Sequence, residues 1–221
     1  MAAVLAHEIN NPLEAVTNVL FLAQTTEGLP ETARQYLQMA DAELKRIAHI
    51  TRQALGFYRE SSAPTTLHLS ILLDSVLDLL QAKTISKRAI IDRQCDEQLE
   101  MTAFQGELRQ VVSNLLMNSL DAIADAGKIT LRATICKGFR GTKESIRITV
   151  YDNGHGISDV ALGQIFQSFF TTKGSVGNGL GLWVSKQIVE KHVGSIQVRS
   201  GTNGTRQGTT LSVVLPVCVL S

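Results

Sequence analysis

Two stretches of apolar residues, each stepping alternately by four and three, constrain the first part of this chain more than any other feature. Ala2, Ala6, Ile9, Leu13, Val16, Leu20 and Ala23 form one series. Ala33, Leu37, Ala40, Leu44, Ile47, Thr51, Ala54 and Tyr58 form the other. Such a heptad pattern belongs to helices that pack along a seam. Gly28-Leu29-Pro30 separates the two series, and Pro30 suits a helix start. The pattern predicts a helical hairpin over residues 1–61. A lone hairpin buries little apolar surface. Pairing with a second copy would complete a four-helix bundle; packing on the rest of its own chain is the alternative.

Ser61-Ser62-Ala63-Pro64-Thr65-Thr66 is a polar break that reads as a linker. Beyond it helix and strand patterns alternate. Ser70 to Gln81 is helix-like, with Ser70 as the expected N-cap. Arg88–Gln94 and Leu99–Thr102 look like strands. Glu107–Ala126 is a long helix ended by Gly127. Ile129–Cys136 and Ile146–Tyr151 are β-branched strands. Asp152 to Gly181 is glycine-rich and reads as loops. Leu182–His192 is helix, and Ile196–Arg199 and Thr210–Leu215 are strands. The pattern predicts a second domain over 66–221, with helices on one face of a largely antiparallel sheet.

The 221 residues, 44% of them hydrophobic, suffice for a buried core. A net charge of +1 gives no broad field for nucleic acid or an anionic membrane. No apolar run approaches the roughly 18 residues needed to span a bilayer. Cys95, Cys136 and Cys218 lack any paired spacing and are expected to be free, buried thiols in a reducing compartment.

On the first predicted helix lies His7-Glu8-Ile9-Asn10-Asn11-Pro12. Packing does not require an imidazole beside a carboxylate, followed by a helix-weakening proline. A surface histidine is the plain alternative.

Four clusters in the second part share a theme. Asn114, Asn118 and Asp121 stand at i, i+4 and i+7, so they share a helix face and could hold a hard cation such as Mg²⁺; a solvated polar stripe is the alternative. Asp152-Asn153-Gly154-His155-Gly156-Ile157 follows a strand. A carboxylate there can accept from an exocyclic amine, and glycines let backbone approach a flat ring; a plain turn explains it as well. Ile165-Phe166-Gln167-Ser168-Phe169-Phe170-Thr171-Thr172-Lys173 is either core or an apolar hinge whose last three residues offer donors to phosphate. Gly177-Asn178-Gly179-Leu180-Gly181-Leu182 opens a helix, where backbone N–H groups suit an anion.

In this order the four clusters resemble the N, G1, F and G2 boxes of the sensor histidine kinase ATP-binding domain. That is the Bergerat fold, shared with gyrase, Hsp90 and MutL. Asn114-Leu115-Leu116-Met117-Asn118-Ser119-Leu120-Asp121-Ala122 is similar to "NLLxNAxxA". The third cluster matches "IFxPFFTTK" except for Ser168 in place of proline, and the fourth matches "GxGLGL". Gly208-Thr209-Thr210 resembles the family's "GT" element. Leu5 to Leu13 resembles the phosphoacceptor box "LAHEIxNPL". The resemblance covers essentially the whole chain.

The resemblance implies an ATP-dependent protein histidine kinase. Asp152 would bind the adenine amine, with Gly154 and Gly156 shaping the base pocket. Asn118 would coordinate Mg²⁺. Lys173 and the backbone of Gly179, Leu180, Gly181 and Leu182 would hold phosphate oxygens. Asn114, Asp121, Ile157, Phe166, Thr172, Gly177 and Thr209 complete the implied nucleotide set, and residues 158–176 form the lid. Asn114 stands where the gyrase and Hsp90 branch carries a catalytic glutamate, and an amide there disfavours ATP hydrolysis. His7 would accept the γ-phosphoryl group, Glu8 would hold its ring proton, and Asn11, one turn on, would serve dephosphorylation of the partner. Pro12 implies a bend near the reacting ring. The implied partners are a second copy and the receiver domain of a response regulator, in the cytoplasm. Only six residues precede His7, so a sensor and any membrane anchor are expected upstream.

Overall fold

The computed structural model describes residues 2–26, 28–59, 63–138, 144–172, 179–202 and 207–218, with the side chains of 1–11, 45–46 and 48–59 outside the description. The chain forms two compact units, 1–61 and 62–221.

The first unit is a helical hairpin. Helix α1 (Ala2–Gln24) runs continuously through Pro12, and α2 (Glu31–Arg59) packs against it. Gly28 takes φ +78° in the connection, a conformation L side chains resist. The Pro30 carbonyl accepts the first bond of α2 from Arg34 N–H at 3.0 Å. Gln24 Nε2 donates to the Leu37 carbonyl at 3.3 Å, tying the two helices at this end. Leu13, Thr17, Leu20, Ala23 and Gln24 are half-buried against Ala33, Leu37, Asp41 and Leu44. Val16, Ala40 and Ile47, expected in the seam, are exposed. Each helix of a hairpin has one neighbour, so only the strip facing that neighbour is covered.

The second unit has one layer of helices on a sheet. It begins with β1 (Thr65–His68), α3 (Leu69–Leu79), α4 (Gln81–Ser86), β2 (Ile90–Cys95) and β3 (Glu100–Ala103). Then come α5 (Gln105–Ala122), β4 (Lys128–Lys137), β5 (Glu144–Asp152), α6 (Asp159–Leu162), α7 (Gly181–Lys191), β6 (Ser195–Gly201) and β7 (Gly208–Pro216). The main sheet has the order β2-β4-β5-β7-β6, and β1 pairs antiparallel with β3 in a small separate sheet. All main-sheet pairs are antiparallel except β2–β4.

Alternating burial along β5 and β7 turns Ile146, Ile148, Val150, Leu211, Val213 and Leu215 inward. They meet Leu108, Val112, Leu115 and Leu116 of α5 and Val184 and Ile188 of α7 in one buried core. Burying each such side chain contributes about 1.5–3 kcal/mol.

Other expectations change too. The long helix expected over 107–126 runs from Gln105 and ends at Ala122, where Ile123 turns extended, rather than at Gly127. The helix expected over 70–81 is two helices, with His68 rather than Ser70 at the N-cap. Ser70 lies inside α3, with its hydroxyl 3.5 Å from the Glu97 carbonyl. Part of the expected linker, Thr65 and Thr66, belongs to β1, where cross-strand pairing with β3 outweighs local polarity. The three cysteines are free thiols, but Cys95 and Cys136 are half-buried and Cys218 is exposed.

Candidate functional site

The site is organised by the C-terminal end of β5 and by α5. Asp152 is the last residue of β5, opposite Thr209 of β7 in the register, and is only 2% exposed. Ser119 Oγ, on the inward side of α5, donates to Asp152 Oδ2 at 2.8 Å. The N–H of Gly154 donates to Asp152 Oδ1 at 3.0 Å. Burial pushes the Asp152 carboxyl above its ordinary range, opposed by the Ser119 hydroxyl and the backbone N–H groups of Gly154 and Thr209. A carboxylate placed so is an acceptor, with both oxygens oriented by neutral donors.

The loop that follows docks on the end of α5. His155 N–H donates to the Ala122 carbonyl at 3.2 Å. A Cβ on Gly154 would stand 2.6 Å from that same carbonyl oxygen, so the approach requires glycine. Gly156 has φ +74°, and a Cβ there would meet the Gly201 carbonyl at 2.1 Å. Ser200 completes this wall. Its Oγ accepts from Ile157 N–H at 2.8 Å, donates to the Gly208 carbonyl at 2.9 Å and lies 2.9 Å from Thr209 Oγ1. Gly154, Gly156, Ile157 and Thr209 are thus brought together around Asp152.

The expected cation face of α5 is distributed over separate contacts. Asn114 Nδ2 donates to the Gly181 carbonyl at 3.0 Å and to Ser185 Oγ at 3.2 Å, stitching α5 to the start of α7. Asp121 is bonded to Lys83 of α4. Asn118, half-buried between them, has its own partner in the structure.

Helix α7 opens at Gly181, with Leu180 as its N-cap, whose side chain has no polar atom to offer. Such a helix start has backbone donors suited to an anion. Leu180 is buried and Leu182 half-buried. Gly179 has φ +65°, and a Cβ there would meet the Phe169 carbonyl carbon at 2.3 Å. Phe166 and Phe170 are half-buried, while Phe169 is 68% exposed with φ +66°. Thr172 is exposed. Lys173 and Gly177 lie outside the described residues, as do the side chains of His7, Glu8 and Asn11, whose backbone is part of α1.

The sequence left three of these groups unassigned. Ser119 is a serine among Leu115, Leu116 and Leu120 on the buried face of α5, which is a usable signal. Ser200 and Lys83 carry none, because their relevance depends on register and helix packing.

Residues 104–218 match the family model described as "Histidine kinase-, DNA gyrase B-, and HSP90-like ATPase". The chain belongs to this family. Residues 1–63 match the "His Kinase A (phospho-acceptor) domain". Together the two give the chain the catalytic core of a sensor histidine kinase: helices, then an α/β ATP-binding-type unit.

Among relatives, the chain is 31% identical to the signal transduction histidine-protein kinase AtoS of Escherichia coli (strain K12), over 98% of this chain and 34% of AtoS. The chain spans between 34% and 48% of the curated relatives it matches. Among solved structures, full-length ShkA in complex with AMPPNP shares the fold at TM-score 0.70 and 24% identity, over 100% of this chain and 46% of that one. The histidine kinase ThkA, in complex with the response regulator protein TrrA, matches at TM-score 0.63 and 26% identity, over 98% of this chain and 61% of that one. Among the described residues, no helix is long and apolar enough to cross a membrane.

Proposed function

We propose that the chain binds ATP beside Asp152, phosphorylates its own His7 and passes the phosphoryl group to an aspartate of a response-regulator receiver domain. The observation that carries this reading is the buried Asp152, its oxygens set by Ser119 and Gly154 beside a glycine loop packed closely on the end of α5 and on Gly201. Adenine offers an amine for this acceptor, and the glycines let the loop backbone come close enough to Ala122 and Gly201 to hold it in place.

The donor set also fits a metal that arrives with phosphate. Among the described residues no group of three His, Cys, Asp or Glu side chains is placed to hold a metal ion. Mg²⁺ beside a nucleotide commonly uses few protein ligands and completes its shell with phosphate oxygens and water. Asn118 would contribute its amide oxygen. The first turn of α7 and Lys173 would hold the phosphates.

Bound ATP supplies the γ-phosphoryl group and leaves as ADP when the Pγ–O bridge bond breaks. A free imidazole, with a pKa of about 6.5, is mostly neutral at pH 7, the state His7 needs as a nucleophile. Glu8 accepts a hydrogen bond from one ring N–H, which leaves the lone pair of the other nitrogen to attack phosphorus. Asn11, one turn along α1, serves the reverse reaction by orienting water at the phosphorylated partner. ThkA was solved with a response regulator, and a receiver domain is the corresponding acceptor here. A second copy would cover Val16, Val19, Phe21, Leu22, Tyr36 and Met39, which the hairpin alone leaves exposed.

A clamp-type ATPase is the second reading, and Asn114 disfavours it. Its amide is a donor tied to Gly181 and Ser185, and an amide cannot deprotonate water. Incubation with γ-labelled ATP tests both. Label that survives alkali, is lost in acid and disappears in His7→Gln is the expected result. Steady phosphate release with no labelled protein would refute the kinase reading.

A further inference from the structure

The α5 face that carries Asn114 and Asn118 also holds an acidic residue, Asp121, to which the proposed mechanism gives no step. Ser119 fixes the base end of the site through Asp152, and Asn114 fixes the opposite end by binding the start of α7. Asn118 lies on the α5 face between these ends, and Asp121 shares that face just past Ser119. An uncompensated carboxylate at Asp121 would repel a polyphosphate chain.

Lys83 answers that charge. Its ammonium is bonded to Asp121 Oδ1 and lies 3.0 Å from Met117 Sδ, one helical turn before Asp121. An ammonium has three N–H donors, and these two contacts use two. The side chain is 34% exposed, so it is only partly covered by α5. Its base is fixed too. Lys87, one turn further along, donates to the Ile123 carbonyl at the end of α5 at 3.1 Å, so α4 is pinned to α5 at two points.

We propose that Lys83 is a phosphate-binding residue: it neutralises Asp121 and donates its remaining N–H to a non-bridging oxygen of the nucleotide's phosphate chain. This rests on the nucleotide reading above. No element of the glycine-rich motifs includes Lys83; it reaches the site because α4 packs beside α5.

Calorimetric titration of the 221-residue chain with ATP, ADP and adenosine in Mg²⁺ tests it. A charge-assisted hydrogen bond lost from the phosphates corresponds to ~10–100-fold weaker binding. Lys83→Met is expected to lose that much for ATP and ADP while adenosine stays within about twofold, and Lys83→Arg to stay near wild type. The double variant Lys83→Met/Asp121→Asn leaves no unpaired carboxylate, so it carries the test should the single variant not fold. It should remain at least about fivefold weaker than wild type for ATP, since the phosphate contact is still missing.

Unchanged ATP binding in Lys83→Met overturns the proposal, as does a parallel loss for adenosine. Full recovery of ATP binding in the double variant also overturns it, by reducing Lys83 to a counter-ion. Wild type that binds no ATP overturns the nucleotide reading along with it. Wild type that binds ATP, with variants unchanged, overturns the Lys83 role alone.

Discussion

Asp152→Asn separates the cost of a buried charge from its use. In the fold, Oδ1 takes a hydrogen bond from the Gly154 N–H at 3.0 Å and Oδ2 takes one from Ser119 Oγ at 2.8 Å. A backbone N–H cannot turn, so the Asn oxygen must stay on Gly154. The amide NH₂ then faces Ser119, whose hydroxyl rotates and accepts. The Gly154 and Ser119 contacts survive, and removal of a buried charge offsets any weakening at the third donor, the Thr209 N–H, so stability at pH 7 should change little. A change under about 1 kcal/mol is a Tm shift of roughly 2–4 °C in a chain of this size.

Ligand binding goes the other way. The NH₂ cannot accept from the adenine amine. A charge-assisted hydrogen bond worth about 1.5–3 kcal/mol is lost, and facing donors cost about 1–3 kcal/mol more. The sum predicts roughly 10²–10⁴-fold weaker ATP binding. The pH dependence carries a second sign. Because burial raises the folded pKa of Asp152, its stability contribution is complete below the unfolded value near 3.8 and is lost as pH rises through the folded value. The stability of Asp152→Asn relative to wild type should therefore grow with pH across that window. Calorimetry with ATP and thermal melts from pH 4 to 7.5 measure both. ATP binding within about fivefold of wild type, or a large fall in Tm, would refute the assignment.

His192 is 1% exposed, and burial pushes its pKa down, offset in part by the Ile188 carbonyl and Glu107. Its stabilising contribution is therefore complete above its unfolded pKa of about 6.5 and lost as pH falls through the folded value. Denaturant midpoints should drop between pH 7.5 and 5 in wild type and drop less in His192→Leu; equal slopes would count against it. Gly154→Ala should cost about 1–3 kcal/mol by overpacking against Ala122 and should also weaken ATP binding, both read from melts with and without nucleotide.

Regular, strongly patterned elements were legible in the sequence. The heptads gave the hairpin, and β-branched alternation gave β4, β5 and β7. Glycine spacing marked the loops around Asp152 and the start of α7. Contacts between distant elements were not legible. The parallel pairing of β2 with β4 depends on which strands neighbour each other, which no local pattern encodes. The break between α3 and α4 has no proline or glycine to announce it. Helix α6 is four residues inside a glycine-rich stretch, too short for a period, although Ser158 caps it. The grouping of Asn114, Asn118 and Asp121 on one face followed from helical spacing. Their separate partners, Gly181, Ser185 and Lys83, required the neighbouring helices.

The docking of the 152–157 loop on the Ala122 carbonyl has a consequence for how this domain can vary. Since the base end of the site hangs from the last residue of α5 and the start of α7 is tied to Asn114 two turns earlier, α5 acts as a ruler between them. Inserting or deleting one residue between 114 and 122 would rotate one end by about 100° and shift it about 1.5 Å relative to the other. Only changes close to whole turns keep both ends in phase. Length in this segment is therefore held more tightly than residue identity, and indels in this domain should fall elsewhere.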